Sequence, residues 1–263
     1  MQRSATLNVM VEAVRKAGRG LARDFGEVEN LQVSIKGPGD FVSAADRRAE
    51  ETIRQVLEHA RPGYGLVMEE AGIIEGSDRT HRWHIDPLDG TTNFLHGIPH
   101  FAVSLGLERE GVMIAGVVLN PITNELFVAE RGKGAYIDGR RLRVSARSDL
   151  SRTVIGTGVP HMGRGNHANY VEELKLVMAR VAGIRRFGAA ALDLAFVAAG
   201  RFDGFWERGL SSWDMAAGIV LVRESGGLVS DFSDRDNMLK DGDVVAGNET
   251  VHGELLRLLA PAR

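Results

Sequence analysis

The sequence predicts an α/β (α+β) fold in which helices and sheets form layers. Two amphipathic helices lead the chain, strand-like segments fill the middle, and strands alternate with helices in the second half. Apolar residues recur at helical spacing from Leu7 to Phe25 and again from Ala45 to Leu57. Since no linker or repeat marks a boundary, we expect one domain over residues 1–263, with two sub-regions at about 1–147 and 148–263.

The middle of the chain is typical of a mostly antiparallel sheet. Short β-rich segments alternate with turn signals, among them Glu110-Gly111. Glu69 follows the first of these segments and Asp86 ends the second, so both carboxylates are expected at strand ends. The predicted strands span residues 64–68, 81–85, 102–107, 113–119 and 125–129, followed by a hairpin at Asp138-Gly139.

The second half predicts a mixed sheet covered by helices. Asp214 falls in the first turn of one of these helices, where the backbone orients its carboxylate outward. The last predicted helix ends at Gly226-Gly227, a usual helix stop. The predicted strands are 153–157, 184–187, 202–206, 228–231 and 244–246, and the helices are 169–181, 189–199 and 213–225.

Composition excludes several classes of protein. The 263 residues are 44% hydrophobic and 25% charged, with no apolar run long enough to cross a bilayer. The absence of cysteine excludes disulfides and thiolate metal sites. A net charge of −3 gives no reason to expect direct nucleic-acid binding. The first residues lack the basic-then-apolar layout of a secretory signal, so we expect a cytoplasmic protein.

One segment, Asp86 to Phe94, is dense enough to indicate a chemistry. Asp86 and Asp89 flank Pro87, which fixes the local backbone, so both carboxylates can face one point and hold hard cations by oxygen. Gly90 lets the chain turn before a helix opened by two threonines, whose N–H groups form an anion site. The segment therefore predicts a metal site beside a phosphate site.

These residues resemble the inositol monophosphatase family of magnesium-dependent, lithium-sensitive phosphatases. The resemblance covers almost the whole chain and favours the bacterial branch. It implies a layered αβαβα sandwich, with a mainly antiparallel N-terminal sheet and a second, mixed C-terminal sheet, usually built as a homodimer. The motifs that carry it are Glu69-Glu70, Trp83 to Phe94 and Trp213 to Gly218, with further similarity at Lys36-Gly37, Asp40 to Asp46 and Gly188 to Ala195.

The family pattern implies two Mg²⁺ ions, with a third, weaker ion near Glu69 in some relatives. Carried over by position, Glu69, Asp86 and the Leu88 carbonyl bind the first ion. Asp86, Asp89 and Asp214 bind the second, so that Asp86 bridges the pair. Two close cations can stabilise both the attacking and the leaving oxygen of an in-line phosphoryl displacement.

The resemblance also implies catalytic and substrate-binding roles. Thr91, paired with Asp46 in a Thr–Asp dyad, helps to deprotonate the attacking water, and Glu69 shares this task. The backbone N–H groups of Gly90 and Thr91 hold the phosphate. On the substrate side, Glu207 accepts hydrogen bonds from polyol hydroxyls and Ala190 supplies a backbone contact.

Several residues also have an ordinary structural interpretation. Asp46 can extend a capping arrangement with Ser43, and Lys36 can be a plain exposed lysine. Trp213 is expected to be a core anchor that positions the neighbouring carboxylate. The histidines show no zinc-type spacing, and we expect His84 to point off the face of its strand.

The substrate is the most open part of the prediction. Ser211 and Phe187 depart from the residues that relatives often carry at the pocket rim, and the leaving alcohol meets few other groups. Inositol 1-phosphate is the leading substrate; 3′-phosphoadenosine 5′-phosphate, histidinol phosphate, fructose 1,6-bisphosphate and NADP are the alternatives. A regulatory association with the transcription machinery in ribosomal RNA synthesis is a second function class, compatible with the first.

Overall fold

The computed structural model describes residues 3–27, 33–37, 40–163 and 165–260, with the backbone alone for the strands at 33–37 and 40–43. The side chains of Lys36 and Ser43 therefore lie outside the described part. The helices are α1 (Ala5–Phe25), α2 (Ala44–Ala60), α3 (Thr91–Leu95), α4 (His167–Met178), α5 (Ala190–Ala198), α6 (Ser212–Glu224), α7 (Met238–Asp241) and α8 (Glu249–Leu259).

The described strands form two large sheets and one hairpin. The first two strands, β1 (Val33–Gly37) and β2 (Asp40–Ser43), pair as the hairpin. The others are β3 (Tyr64–Met68), β4 (Gly72–Ile74), β5 (Asp78–Asp89), β6 (Ala102–Arg109), β7 (Val112–Asn120), β8 (Glu125–Glu130), β9 (Gly134–Ile137), β10 (Arg140–Arg141), β11 (Val154–Thr157), β12 (Gly183–Arg185), β13 (Gly204–Glu207), β14 (Leu228–Ser230) and β15 (Val244–Gly247).

The two large sheets divide the chain into successive halves. The first has eight strands in the order β10-β9-β8-β7-β6-β5-β3-β4, and its pairs are antiparallel except for β3 with β5. The second has five strands in the order β12-β11-β13-β15-β14 and mixes parallel with antiparallel pairs. The predicted combination of a mainly antiparallel and a mixed sheet is confirmed.

Helices complete five layers around these sheets. One hydrophobic cluster joins α1 and α2 to the larger sheet, a second joins α5 and α6 to the inner faces of both sheets, and a third lies between the smaller sheet and α4 with α8. The layered αβαβα architecture implied by the resemblance is therefore confirmed. Among the described helices, none is long and apolar enough to cross a membrane.

Helix α6 lies unusually close to the larger sheet. A Cβ added at Gly106 on β6 would lie 2.6 Å from the Cβ of Ala216, and one added at Gly116 on β7 would lie 2.5 Å from the Ala217 carbonyl oxygen. Both distances are shorter than real Cβ contacts, so the two glycines permit the close approach. Helix α6, which begins just before Asp214, is thereby held against β6, the neighbour of β5, and against β7.

Some elements differ from the sequence prediction. The strand expected to end at Asp86 continues through Asp89, because β5 keeps pairing with β6 beyond a register irregularity. The C-terminal helix α8 and the short edge strand β4 were not predicted. The helix expected over 169–181 ends earlier, at Met178.

Candidate active site

The end of β5 carries two of the expected carboxylates. Asp86 pairs with Ser104 of β6 and Asp89 with Ala102, so three residues of β5 span the distance that two residues span on β6. Pro87, which cannot donate a ladder hydrogen bond, lies inside this irregularity. The Leu88 N–H instead donates to Asp86 Oδ1 at 3.0 Å. The irregularity allows both carboxylates to face the same cleft.

Folding brings acidic residues from four segments into this cleft, which has a volume of about 170 Å³. Residues 90–93 line the cleft, and so do Gly188 to Ala190. Arg186 and His161 also contribute to its walls. The acidic residues that line it are Glu69, Asp86, Asp89, Glu207 and Asp214.

Burial, together with the crowding of like charges, raises the pKa of the two carboxylates on β5. Burial raises the pKa of Asp86 well above its ordinary value, and the negative charges of Glu69, Asp89 and Asp214 raise it further. Burial, and then the charge of Asp214, raise the pKa of Asp89 in the same direction. The described residues thus concentrate negative charge that a cation would neutralise.

The donor set fits hard divalent cations. In the described part of the chain, no three His, Asp or Glu side chains are placed so that they could hold a metal ion as they stand. The carboxylates nevertheless lie near enough to raise one another's pKa, and they offer oxygen ligands of the kind that Mg²⁺ binds. A cleft of mutually repelling carboxylates is the arrangement that bound Mg²⁺ would stabilise.

Glu50, which belongs to none of the sequence motifs, positions the turn after β3. It is 4% exposed on the buried face of α2, and its two carboxylate oxygens accept hydrogen bonds from the N–H groups of Glu70 and Ala71, at 2.8 and 2.9 Å. Because Glu69 precedes this turn, the buried carboxylate fixes the backbone from which Glu69 reaches the cleft. Its signal in the sequence was a charged residue at the helical spacing of Ala49 and Ile53.

Thr91 contacts the carboxylate that the resemblance assigns to it. Its Oγ1 lies 3.1 Å from Asp46 Oδ1 and also 3.1 Å from the Leu88 carbonyl oxygen. Since a hydroxyl has one proton to donate, the two acceptors share it. Asp46 is fully buried in the first turn of α2. The arrangement can pass a proton from the cleft to a buried carboxylate.

The turn that opens α3 is tied to neighbouring loops. Gly90 has a φ of 94°, a left-handed conformation that glycine tolerates best. Asn93, buried in the short helix that follows, donates from Nδ2 to the carbonyls of His100 and Phe187, at 2.7 and 2.8 Å. These bonds hold the N–H groups of Gly90 and Thr91 at the mouth of the cleft. Asn93 was not identified from the sequence.

Two more carboxylates are held by backbone N–H groups. Asp89 Oδ2 accepts a hydrogen bond from Ala191, in the first turn of α5, at 2.7 Å. Asp214 Oδ2 accepts one from the Ser211 N–H at 2.8 Å. The first turn of α6 is also attached to β6, where Ser104 donates to the Trp213 carbonyl at 3.3 Å. The backbone therefore orients both side chains.

Glu207 lines the cleft from the end of β13. It ends β13 and packs so tightly on Gly158 that an added Cβ there would lie 1.8 Å from Glu207 Oε1. It also lines a neighbouring cavity of about 90 Å³ with Tyr170 and Trp206. Glu207 thus lies between the acidic cleft and a side cavity.

The structure adds detail to several expectations about the surroundings of the cleft. Ser211 and Phe187 do not line the cleft: Ser211 is the N-cap of α6, and Phe187 packs its ring on His100 and Phe202. Trp213 is partly exposed and lies outside the buried core. His84, expected to point off the strand face, is buried.

Known proteins resemble this chain over nearly its whole length. The model of the inositol monophosphatase family matches residues 2–263. A protein of Mesorhizobium japonicum named inositol-1-monophosphatase is 63% identical over 98% of this chain and 97% of its own length. A Nus factor SuhB of Pseudomonas aeruginosa is 48% identical over 97% of this chain and 96% of its own. The crystal structure of the extragenic suppressor protein suhB from Bartonella henselae superimposes with a TM-score of 0.95 at 58% identity, over 97% and 98% of the two chains.

The chain belongs to the inositol monophosphatase family. It is therefore a phosphatase, and the family predicted from the motifs at Glu69, Asp86 and Asp214 is confirmed.

Proposed function

We propose that the protein is a Mg²⁺-dependent phosphomonoesterase that hydrolyses inositol 1-phosphate to inositol and phosphate. The observation that carries the proposal is the cleft in which buried Asp86 and its neighbours Asp89, Asp214 and Glu69 repel one another. The name of the 63% identical relative from Mesorhizobium japonicum supports the choice of substrate.

The proposed ligands follow the family pattern. Glu69, Asp86 and the Leu88 carbonyl would hold a first Mg²⁺, and Asp86, Asp89 and Asp214 a second. A third ion near Glu69 belongs to the proposal as a weaker site. When bound, the ions supply positive charge that stabilises the attacking and the leaving oxygen of an in-line displacement.

The chain's own groups would orient the substrate and move protons. The N–H groups of Gly90 and Thr91 donate to the phosphate. Thr91 Oγ1 accepts a proton from the attacking water and passes its own to Asp46, which lies at hydrogen-bond distance, and Glu69 assists as a second base. Glu207 accepts hydrogen bonds from the hydroxyls of the alcohol, and the Ala190 backbone contacts the same group.

A substrate panel tests the proposal. The purified protein is assayed with Mg²⁺ against inositol 1-phosphate and the four alternatives: 3′-phosphoadenosine 5′-phosphate, histidinol phosphate, fructose 1,6-bisphosphate and NADP. The expected result is the highest kcat/KM for inositol 1-phosphate, with no turnover in excess chelator and with inhibition by Li⁺ at roughly millimolar concentration, because a small cation can occupy the weaker site. A higher kcat/KM on another substrate would identify that compound as the preferred substrate. Full turnover in excess chelator would show that the reaction does not need Mg²⁺.

A regulatory association is the second candidate function, and the name of the 48% identical Pseudomonas protein, a Nus factor, favours it. A pull-down from cell extract with Asp214→Asn as bait separates the two roles, since a binding role would survive loss of turnover.

We also propose that residues 1–263 form a single catalytic domain, that the protein is a homodimer and that it is cytoplasmic. Light scattering measures the oligomeric state, and cell fractionation measures the location.

A further inference from the structure

A buried histidine links the strand that carries Asp86 to the helix that carries Asp214. His84 is 4% exposed, and both nitrogens of its ring have partners. Nδ1 lies 3.0 Å from Ser212 Oγ, and Nε2 lies 2.8 Å from Glu108 Oε2. Because both ends of the ring are held, its orientation between β5, β6 and α6 is fixed.

The partners of His84 lie close in sequence to the proposed ligands. Side chains two residues apart on a strand face the same side of the sheet, so His84 and Asp86 both face α6. Ser212 is the first residue of α6, and Asp214 follows two residues later. The imidazole thus joins two backbone segments, each of which supplies a carboxylate to the cleft.

The first turn of α6 is held in a different way from the middle of the helix. In the middle of the helix, Ala216 contacts Gly106, and this contact sets how closely α6 approaches the sheet. Gly106 is the residue of β6 that pairs with His84 of β5. Such apolar contacts are weakly directional and do not fix how far the helix slides or rotates. Two directional contacts hold the first turn to the sheet: the hydrogen bond between His84 and Ser212, and the one that Ser104 donates to the Trp213 carbonyl.

We propose that His84 is a positioning residue for the second cation site: through Ser212 it fixes the first turn of α6 and with it the place of Asp214 relative to Asp86 and Asp89. The inference rests on the proposed function. Mg²⁺ demands near-ideal geometry at about 2.0–2.1 Å from its oxygens. A small displacement of Asp214 therefore weakens ion binding well before it disturbs the fold.

The test measures Mg²⁺ binding by isothermal titration calorimetry on the full chain. Ser212→Ala deletes one partly exposed hydroxyl. The His84 imidazole loses its hydrogen bond to Ser212 and keeps the one to Glu108. Ser212→Thr restores the hydroxyl, and its extra methyl has room because Ser212 and His84 line a cavity of about 400 Å³. Ile219→Val, in the middle of α6, is the matched control for loss of packing, since it shortens a buried side chain without touching the first turn.

We expect Ser212→Ala to raise the Kd for Mg²⁺ about three- to tenfold, the range for one lost hydrogen bond. At saturating Mg²⁺ its kcat should return close to that of the unsubstituted enzyme. Ser212→Thr should bind Mg²⁺ like the unsubstituted protein, and Ile219→Val should lower the melting temperature with no change in Kd.

Three results would overturn the inference, and they show whether the metal site itself stands. Equal Kd values for the unsubstituted protein and Ser212→Ala, or a rise in Kd that Ile219→Val reproduces, would leave His84 as a plain core histidine while the metal site stands. Absence of Mg²⁺ binding to the unsubstituted protein would remove the proposed metal site and this inference with it.

Discussion

A methyl group added at Gly158 tests whether Glu207 selects the alcohol of the substrate. The Cβ of Gly158→Ala would lie 1.8 Å from Glu207 Oε1. Ordinary contact between heavy atoms begins near about 3.5 Å, so the carboxylate has to move by roughly 1.7 Å. A hydrogen bond between Glu207 and a substrate hydroxyl cannot survive a shift of that size.

The fold should tolerate the substitution. The backbone at Gly158 does not have a positive φ, so alanine is not strained there. The atoms that must move are the end of a flexible side chain, and Glu207 already lines the neighbouring cavity of about 90 Å³ into which it can turn. The melting temperature should therefore change little.

We expect the KM for inositol 1-phosphate to rise roughly 10- to 100-fold, because a hydrogen bond to a charged group contributes about 1.5–3 kcal/mol. The KM for p-nitrophenyl phosphate, whose alcohol carries no further hydroxyl, should stay nearly unchanged, and so should kcat on both substrates. Steady-state kinetics on the two esters, with the same preparation, give the comparison.

Gly20→Ala is the matched control, since a Cβ at Gly20 in α1 meets no atom within 4 Å. It should leave all kinetic constants unchanged and should stabilise the helix by up to about 1 kcal/mol. Equal losses of Gly158→Ala on both esters would place Glu207 in catalysis or folding. An unchanged KM for inositol 1-phosphate would show that Glu207 does not contact the alcohol.

Three further outcomes follow from the same site. Thr91→Val and Asp46→Asn should each lower kcat by roughly 10²–10⁴-fold with unchanged Mg²⁺ binding by calorimetry, and the double variant should be little worse than either; losses that multiply would move the base to another residue. Asp214→Asn should abolish Mg²⁺-dependent turnover while the circular dichroism spectrum stays the same, and retained turnover would refute the second cation site. Burial, and then the charges of Glu207 and Asp89, raise the pKa of Asp193, so its ionised form destabilises the folded state at high pH and this effect fades as pH falls through the raised pKa. Asp193→Asn in chelator should therefore raise the melting temperature more at pH 8 than at pH 5; equal changes at both pH values would contradict the assigned cause.

The sequence predicts those parts of the molecule whose signals are local. The apolar periodicity of α1 and α2 survives folding because one face of each helix is buried along its whole length. The residues that form the turn and the short helix between Asp86 and Phe94 are consecutive in the chain, so both could be predicted from the sequence. The C-terminal helix α8 was not predicted, although it begins at a usual capping residue: Asn248 accepts a hydrogen bond from the Val251 N–H at 2.9 Å.

The supporting residues could not be predicted in this way, because their partners are distant in sequence. Glu50 meets amides 20 and 21 positions away, and His84 meets Ser212 across 128 positions. A charged residue on the apolar face of α2 does signal a buried role, but it does not name the group that the residue binds. For His84 the alternation of β5 gave no guide, because the sheet is covered by helices on both faces.

The three proposed aspartate ligands share a feature that explains how like charges can be kept together. Asp86, Asp89 and Asp214 each accept a backbone N–H hydrogen bond on one carboxylate oxygen, at 3.0, 2.7 and 2.8 Å. Such a bond favours the ionised form, but for Asp86 and Asp89 burial and mutual repulsion outweigh it and raise the pKa. The backbone N–H groups therefore do not remove the repulsion between the carboxylates. They fix the orientation of each carboxylate, so that a bound cation would meet ligands already placed by the backbone. Aspartate suits all three positions because its short side chain reaches both a nearby amide and the shared cleft, whereas the longer side chain of glutamate would move the carboxylate away from its amide.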